Sequence, residues 1–246
     1  MRIFSLAVAA LAIASVPVHA AGVPDYVASA VADTARPDKD RERDADRKPA
    51  EIMALIGVKP GDRVVDIGPG SGYYLRILSR IVGANGKVIG FNPTWVDEKF
   101  PAAKDAVTGL AAAGYTNLEG SVQPMADIKF DQPVDAIFMS QVYHDQHWQK
   151  IDIAKMNKSI FAAQKPGGVY FIVAHTAVAA DQKAIADLHR IDPAMVKAEV
   201  LAAGFALEAE SDLLRNPADP KTISVFDKSI RGKTDQFVYK FRKPAK

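Results

Sequence analysis

Cysteine is missing from the 246 residues, which excludes a disulfide scaffold, a thiolate metal site and a lipid anchor on an N-terminal thiol. Net charge is nearly missing too. Lys and Arg number 31 against 29 Asp and Glu, so the balance gives no reason to expect a polyanionic partner such as nucleic acid. Beyond the first twenty residues no run is long and apolar enough to span a bilayer. Internal repeats and low-complexity tracts are absent as well. What remains is a 48% hydrophobic chain, long enough to bury a full core and too apolar to be disordered.

The N-terminus stands apart. Met1-Arg2 is a short positive start, Ile3 to Val16 is an apolar run broken by small residues, and Val18-His19-Ala20 leads into Ala21. The run falls short of the ~20 residues a spanning helix needs. Residues 1–20 are therefore expected to be a secretory signal peptide cut after Ala20, giving a periplasmic or secreted chain with no stable membrane insertion. Residues 21–48 form a second stretch, with a short helix over 24–35 broken at Arg36-Pro37. DKDRERDADRK, Asp38 to Lys48, then places opposite charges at helical spacing, which predicts a solvated helix or linker rather than a lid.

From Pro49 onward (49–246) strand and helix patterns alternate in one domain. Ile52, Leu55 and Ile56 make a helical stripe ended by Gly57 and Pro60-Gly61,. Strands are expected at 63–67, 87–91, 117–122, 135–140 and 169–174, with helices at 72–82, 97–113, 148–163, 181–188 and 193–203. Residues 205–213 and 236–242 alternate as half-exposed edge strands do, and can pair as an antiparallel hairpin. The loop between them, 216–234, is rich in Pro, Asp and Lys and is expected to lie on the surface. Five βα units followed by two strands predict an α/β, doubly wound, mostly parallel sheet.

The most informative stretch is VVDIGPGSGYY, residues 64–74. A strand runs into Gly68, Gly70 and Gly72, where glycine permits positive φ and close approach of a ligand to the backbone. The helix that follows offers free N–H groups to an anion. A dinucleotide fingerprint would need its third glycine where Tyr73 stands, which argues against a nicotinamide enzyme. Asp66, at the strand end, can accept hydrogen bonds from an amino group. A ligand carrying both a carboxylate and an ammonium suits this layout.

On these residues the chain resembles the class I S-adenosylmethionine-dependent methyltransferases over about residues 50–210, with KPGGVYFIVAH as a second point of likeness. ADRKPAEIMALIGVKPGD, VYHDQHW, LHRIDPAMVKAEVLAAGF and RGKTDQFVYKFRKP look like a narrower group of exported bacterial methyltransferases. The resemblance implies a Rossmann-like seven-stranded sheet whose last strand is antiparallel, with S-adenosylmethionine as cofactor. It implies that Asp66, Gly68, Gly70 and Gly72 cradle the methionine part. Asn92 stands where the family usually has an acidic residue on the ribose, and its amide has one carbonyl acceptor in place of a carboxylate. The adenine is placed near Val122, Gln123 and Met125.

Methyl transfer from a sulfonium needs alignment above all, and a base only where the acceptor must lose a proton. Ser140, Gln141, Tyr143, His144 and Asp145 follow the fourth strand, where the crevice of an open α/β sheet lies. Ser140 is expected beside the cofactor. His144 and Asp145 are the acid–base candidates, with His175 at the end of the fifth strand. Tyr73 and Tyr74 can flank a sulfonium or pack the helix start. Arg190 can hold a substrate carboxylate or close a helix-end salt bridge. His144 and His147 lie three apart, but spacing supplies no third ligand, so no metal site is expected. The expected function is methyl transfer to a small-molecule acceptor; the alternative is an inactive exported module that binds the cofactor, its product or another small ligand.

Overall fold

The computed structural model describes residues 22–100, 102–179 and 181–245, with the backbone alone for 102–105 and 182. The expected signal peptide lies outside the described residues. Four short helices come first: α1 (Asp25–Val31), α2 (Asp38–Arg41), α3 (Asp44–Arg47) and α4 (Pro49–Ile56). Then follow β1 (Arg63–Ile67), α5 (Tyr73–Val82), β2 (Lys87–Pro93), α6 (Thr94–Lys99), α7 (Ala102–Ala112), β3 (Leu118–Gln123) and β4 (Val134–Ser140). The second half runs α8 (Tyr143–Trp148), α9 (Ile153–Ala163), β5 (Gln164–His175), α10 (Gln182–Leu188), α11 (Pro193–Ala202), β6 (Ala206–Ser211) and β7 (Gln236–Arg242).

The strands form one seven-stranded sheet in the order β3-β2-β1-β4-β5-β7-β6. Strands β1 to β5 pair in parallel, and β7 runs antiparallel to both β5 and β6. Central strands covered on both faces need apolar side chains in both directions. Accordingly Val64, Phe138 and Phe171 pack with Ile52, Ile77 and Leu78 on one face. Val65, Ile137 and Tyr170 pack with Met156, Ile160 and Val196 on the other. The period-two alternation of a strand divides the core into these halves. Val27 and Ala30 of α1 join the first half, so the N-terminal stretch shares a core with the domain that follows.

The structure corrects three details of the sequence reading and adds one. The helix expected over 97–113 is two helices, α6 ending at Lys99 and α7 starting at Ala102. The one expected over 148–163 is also two: Lys150 adopts φ 56°, and Asp152 starts α9 afresh by accepting a hydrogen bond from the Lys155 amide. Strand β7 is not an edge strand but lies between β5 and β6. The loop over 216–234 does lie largely on the surface, but it is anchored: Asp219 is buried against Arg190 with N···O distances of 2.8 and 3.0 Å.

β1 has β2 on one side and β4 on the other. Chain order reverses between β1 and β4, and the carboxyl ends of strands at such a switch point frame the ligand crevice of a doubly wound sheet. Asp66, Gly68 and Ser140 sit there.

Candidate active site

The three loop glycines do different work. All have positive φ, at 70°, 55° and 85° for Gly68, Gly70 and Gly72. A Cβ at Gly72 would meet Leu110 Cδ1 at 2.4 Å, and one at Gly68 would meet Val142 Cγ1 at 2.9 Å. These two are required by the protein's own packing. At Gly70 a Cβ would meet nothing within 4 Å, so this glycine opens into space. Gly70 also lines a hollow of about 230 Å³, walled with it by Asp66, Gly68, Tyr74, Ser140 and Arg47.

Asp66 is the notable group in it. Its Oδ2 is buried and makes no hydrogen bond. Burial pushes its carboxyl up to about 8, against the pull of the Arg47 guanidinium. A buried polar oxygen without a partner is costly and calls for a ligand donor. The start of α5, with Gly72 before it, carries no side-chain cap, so its amides remain available to a carboxylate. An ammonium for Asp66 and a carboxylate for α5 are the two ends of an amino acid. The residues fit the methionine part of S-adenosylmethionine.

The charged run from Asp38 to Lys48 forms two short helices whose side chains are mostly exposed, as expected of a solvated helix, but it also lies over this loop. Arg36 and Asp40 are buried. Asp44 accepts from Arg36 Nη2 at 2.6 Å and from Tyr73 Oη at 2.5 Å, and Asp40 accepts from Arg76 at 2.8 Å. The Arg47 guanidinium lies 4.9 Å and 5.7 Å from the Tyr73 and Tyr74 ring centres, so the protein's own cations occupy those aromatic faces. Arg47 also donates to Gln141 Oε1 at 3.1 Å, and Gln141 donates to Gln236 at 2.9 Å. Gln141 itself sits at φ 62°, a left-handed backbone that non-glycine residues adopt mainly where surroundings hold them.

A larger hollow of about 570 Å³ shares Arg43, Arg47, Ser71 and Gln141 with the first. His175, Phe226 and Arg231 complete its far side. Its wall carries the cations Lys39, Arg43, Arg47 and Arg231 against Asp40 and Asp46, and Asp40 is already engaged by Arg76. Burial, together with the neighbouring Arg47, lowers Arg43, as expected for a cation short of an anion.

Of the acid–base candidates, His175 alone reaches this hollow. Its Nδ1 lies 2.7 Å from Thr234 Oγ1. Burial, with His144 and Arg190 adding to it, lowers its imidazole to about 3, so the ring is neutral at any working pH and serves as a hydrogen-bonding wall. His144 and Asp145 line neither hollow; they gather instead with His189. His144 Nε2 is 3.1 Å from His189 Nδ1 and 3.2 Å from Asp145 Oδ1. Burial opposes ionisation of Asp145, but the two imidazoles overcome it and hold the carboxyl at about 2.

The remaining candidates divide. Ser140 is in the wall of the smaller hollow. Asn92 is buried at the end of β2, opposite Val122. Gln123 is tied up: its amide bonds Ser121 Oγ and both the N–H and the carbonyl of Lys129, at 2.8 Å each, which clamps the turn after β3. Arg190 forms the buried salt bridge with Asp219. Sequence reasoning missed Arg43, Arg47, Arg231 and Gln236. The charge alternation around Arg43 and Arg47 was visible, but nothing in its spacing shows that it folds over the glycine loop.

The family model for protein-L-isoaspartate(D-aspartate) O-methyltransferase matches residues 39–140. That stretch holds the cover, the glycine loop and Ser140, and stops before His144, His175 and Arg231. A protein-L-isoaspartate O-methyltransferase 2 of Archaeoglobus fulgidus is 30% identical over 136 residues, 54% of this chain and 60% of its own length. The chain spans between 30% and 60% of the length of the curated relatives it matches. Among solved structures, a SAM-dependent methyltransferase from Aquifex aeolicus superposes with a TM-score of 0.59 at 21% identity, over 85% of this chain and 98% of that one. The [4+2]-cyclase SpnF superposes with a TM-score of 0.58 at 16% identity, over 84% and 81%. One fold thus serves more than one reaction, and chemistry has to be argued from the site. The chain has the Rossmann-like fold of the class I methyltransferases, and its family match is confined to the half that carries the glycine loop.

Proposed function

We propose that the chain is an S-adenosylmethionine-dependent methyltransferase whose acceptor is a small molecule bearing a carboxylate. The observation that carries the reading is the unpaired carboxyl of Asp66 in a hollow that adjoins a cation-walled one. Asp66 and the start of α5 hold the amino-acid end of the cofactor, Gly70 leaves room for it, and Asn92 offers one carbonyl acceptor to the ribose. When bound, the cofactor supplies an electrophilic methyl on a sulfonium, whose departure leaves a neutral thioether. Arg43, Arg47 and Arg231 hold the acceptor carboxylate, which is already ionised at neutral pH and attacks through its own lone pair. No proton has to leave it. A neutral His175 and an acid–base pair outside both hollows are therefore no obstacle. Alignment in such a site supplies about 7–11 kcal/mol of the barrier.

A second reading follows from the family match: the acceptor carboxylate belongs to an isoaspartyl residue of a protein. The test is shared. The chain is expected to bind S-adenosylhomocysteine in a calorimeter and to move tritiated methyl onto dicarboxylic acids as alkali-labile esters. Labelling of an isoaspartyl peptide in their place favours the second reading. Absence of binding at millimolar nucleoside removes both. Export remains part of the proposal, and N-terminal sequencing of the natural protein is expected to begin at Ala21.

A further inference from the structure

His144, Asp145 and His189 come from two places in the chain and meet at one point. His144 Nε2, His189 Nδ1 and a single oxygen of Asp145 form a triangle with sides of 3.1, 3.2 and 3.7 Å. Without an ion one of the two ring nitrogens must carry a hydrogen towards the other; with both deprotonated, three lone-pair donors converge. Such a triangle fits a circle of radius about 1.9 Å, just inside the ~2.0–2.2 Å bonds that Zn²⁺ makes to imidazole nitrogen and carboxylate oxygen. An ion slightly above its plane would therefore touch all three. The backbone is set for this: His189 ends α10 at φ 55°, a left-handed conformation that turns its ring onto His144. Trp148 and Phe226, themselves partly exposed, lie edge-on against the His189 ring at centroid distances of 5.6 and 4.8 Å and hold its orientation. Among the described residues no Lys or Arg pairs with Asp145, so its carboxylate faces imidazoles alone.

We propose that His144, Asp145 and His189 bind one zinc-class divalent cation, with a fourth position left open. Two imidazoles and one carboxylate suit Zn²⁺ and its neighbours in the first transition row better than Ca²⁺ or Mg²⁺, which require mostly oxygen ligands. The ion ties α8 to the end of α10 and, through Phe226 on His189, to the wall of the larger hollow. His144 Nδ1 is buried without a partner. Loss of such an outer hydrogen bond costs about 10–100-fold in affinity, so the ion exchanges during chelator treatment. The inference is independent of methyl transfer and is read with neither cofactor nor acceptor present.

The full chain, without a polyhistidine tag and stripped with chelator, is expected to bind one Zn²⁺ per chain in a calorimeter. Co²⁺ in its place is expected to show the intense visible bands of a four-coordinate site. His189→Asn keeps a residue that tolerates the left-handed backbone and is expected to weaken Zn²⁺ by about tenfold or more, with circular dichroism unchanged; Asp145→Asn is expected to do the same. His147→Gln, on the same helix but bonded to Glu199, is expected to leave stoichiometry and affinity as they are. The proposal is overturned if wild type binds Zn²⁺ no tighter than His189→Asn, if Co²⁺ keeps the pale spectrum of its six-coordinate aqua ion, or if His147→Gln abolishes binding. The Co²⁺ spectrum of the unaltered protein decides the matter even if a variant fails to fold.

Discussion

Asp66 concentrates the electrostatics of the site in one carboxyl group. Its folded value of about 8 lies far above the ordinary 3.8, so the folded chain holds a proton that the unfolded chain releases. The stability linked to this group is fully present below pH ~4 and is lost as pH rises towards ~8. Asp66→Asn removes that dependence, and the melting temperature of wild type is expected to fall more steeply from pH 6 to 9 than that of the variant. Parallel slopes would show that the carboxyl is not buried as an acid. A ligand ammonium reverses the preference and ionises Asp66. S-Adenosylhomocysteine is therefore expected to bind more tightly as pH rises from 6 to 8, releasing a proton that calorimetry in two buffers can count. Asp66→Asn is expected to weaken it by ~10–100-fold, since a charge-assisted hydrogen bond is worth about 1.5–3 kcal/mol. This residue was legible because a strand-end acid before a glycine loop has few other uses. Arg47 was not, because its role depends on a contact with Gln141 across 94 residues of chain.

At the scale of elements, two glycines of the loop separate folding from binding. Gly72→Ala puts a methyl at φ 85° and 2.4 Å from Leu110. Overpacking of this kind costs about 1–3 kcal/mol, beyond a left-handed backbone penalty of about 1–2 kcal/mol. Gly70→Ala meets only the backbone penalty, but Gly70 lines the smaller hollow. Urea denaturation is expected to show the larger loss for Gly72→Ala, and nucleoside titration at a temperature where both are folded the larger loss for Gly70→Ala; the reverse ranking would mean that the hollow lies elsewhere. The strands were readable because β1, β4 and β5 are covered on both faces and so carry unbroken apolar runs. The loop over 216–234 lies on the surface as its Pro, Asp and Lys suggest, but composition does not show where it is anchored. Only the fold reveals that Arg190 and Asp219, both fully buried, pin it down. Asp219→Ala strands a buried guanidinium, and calorimetric unfolding is expected to show a loss of about 3–5 kcal/mol; a loss under 1 kcal/mol would mean that Arg190 finds another partner or water.

Across the whole molecule, the N-terminal cover and the sheet are held by different forces. The sheet rests on two apolar cores, while residues 38–48 are tied down mainly by polar links: Arg36 to Asp44, Tyr73 to Asp44, Arg76 to Asp40 and Arg47 to Gln141. Arg36 and Asp40 are buried in these pairs, but most of the other side chains of the run are exposed and bring little apolar packing, so the cover is expected at the low-stability end of the structure, where ligand-gating segments are found. Opposite charges along a helix look the same whether they face water or a neighbouring glycine loop, which is why the sequence reading placed this run in solvent. Its position over both hollows means that a nucleoside must pass it. In hydrogen exchange, amides of 38–48 are expected to exchange well before those of β1 and β4, faster still in high salt, and to be slowed by S-adenosylhomocysteine. Protection of the cover equal to that of β1 without ligand would make it a fixed wall. In that case Arg43 and Arg47 would be permanent occupants of the crevice, and a cofactor would have no way in.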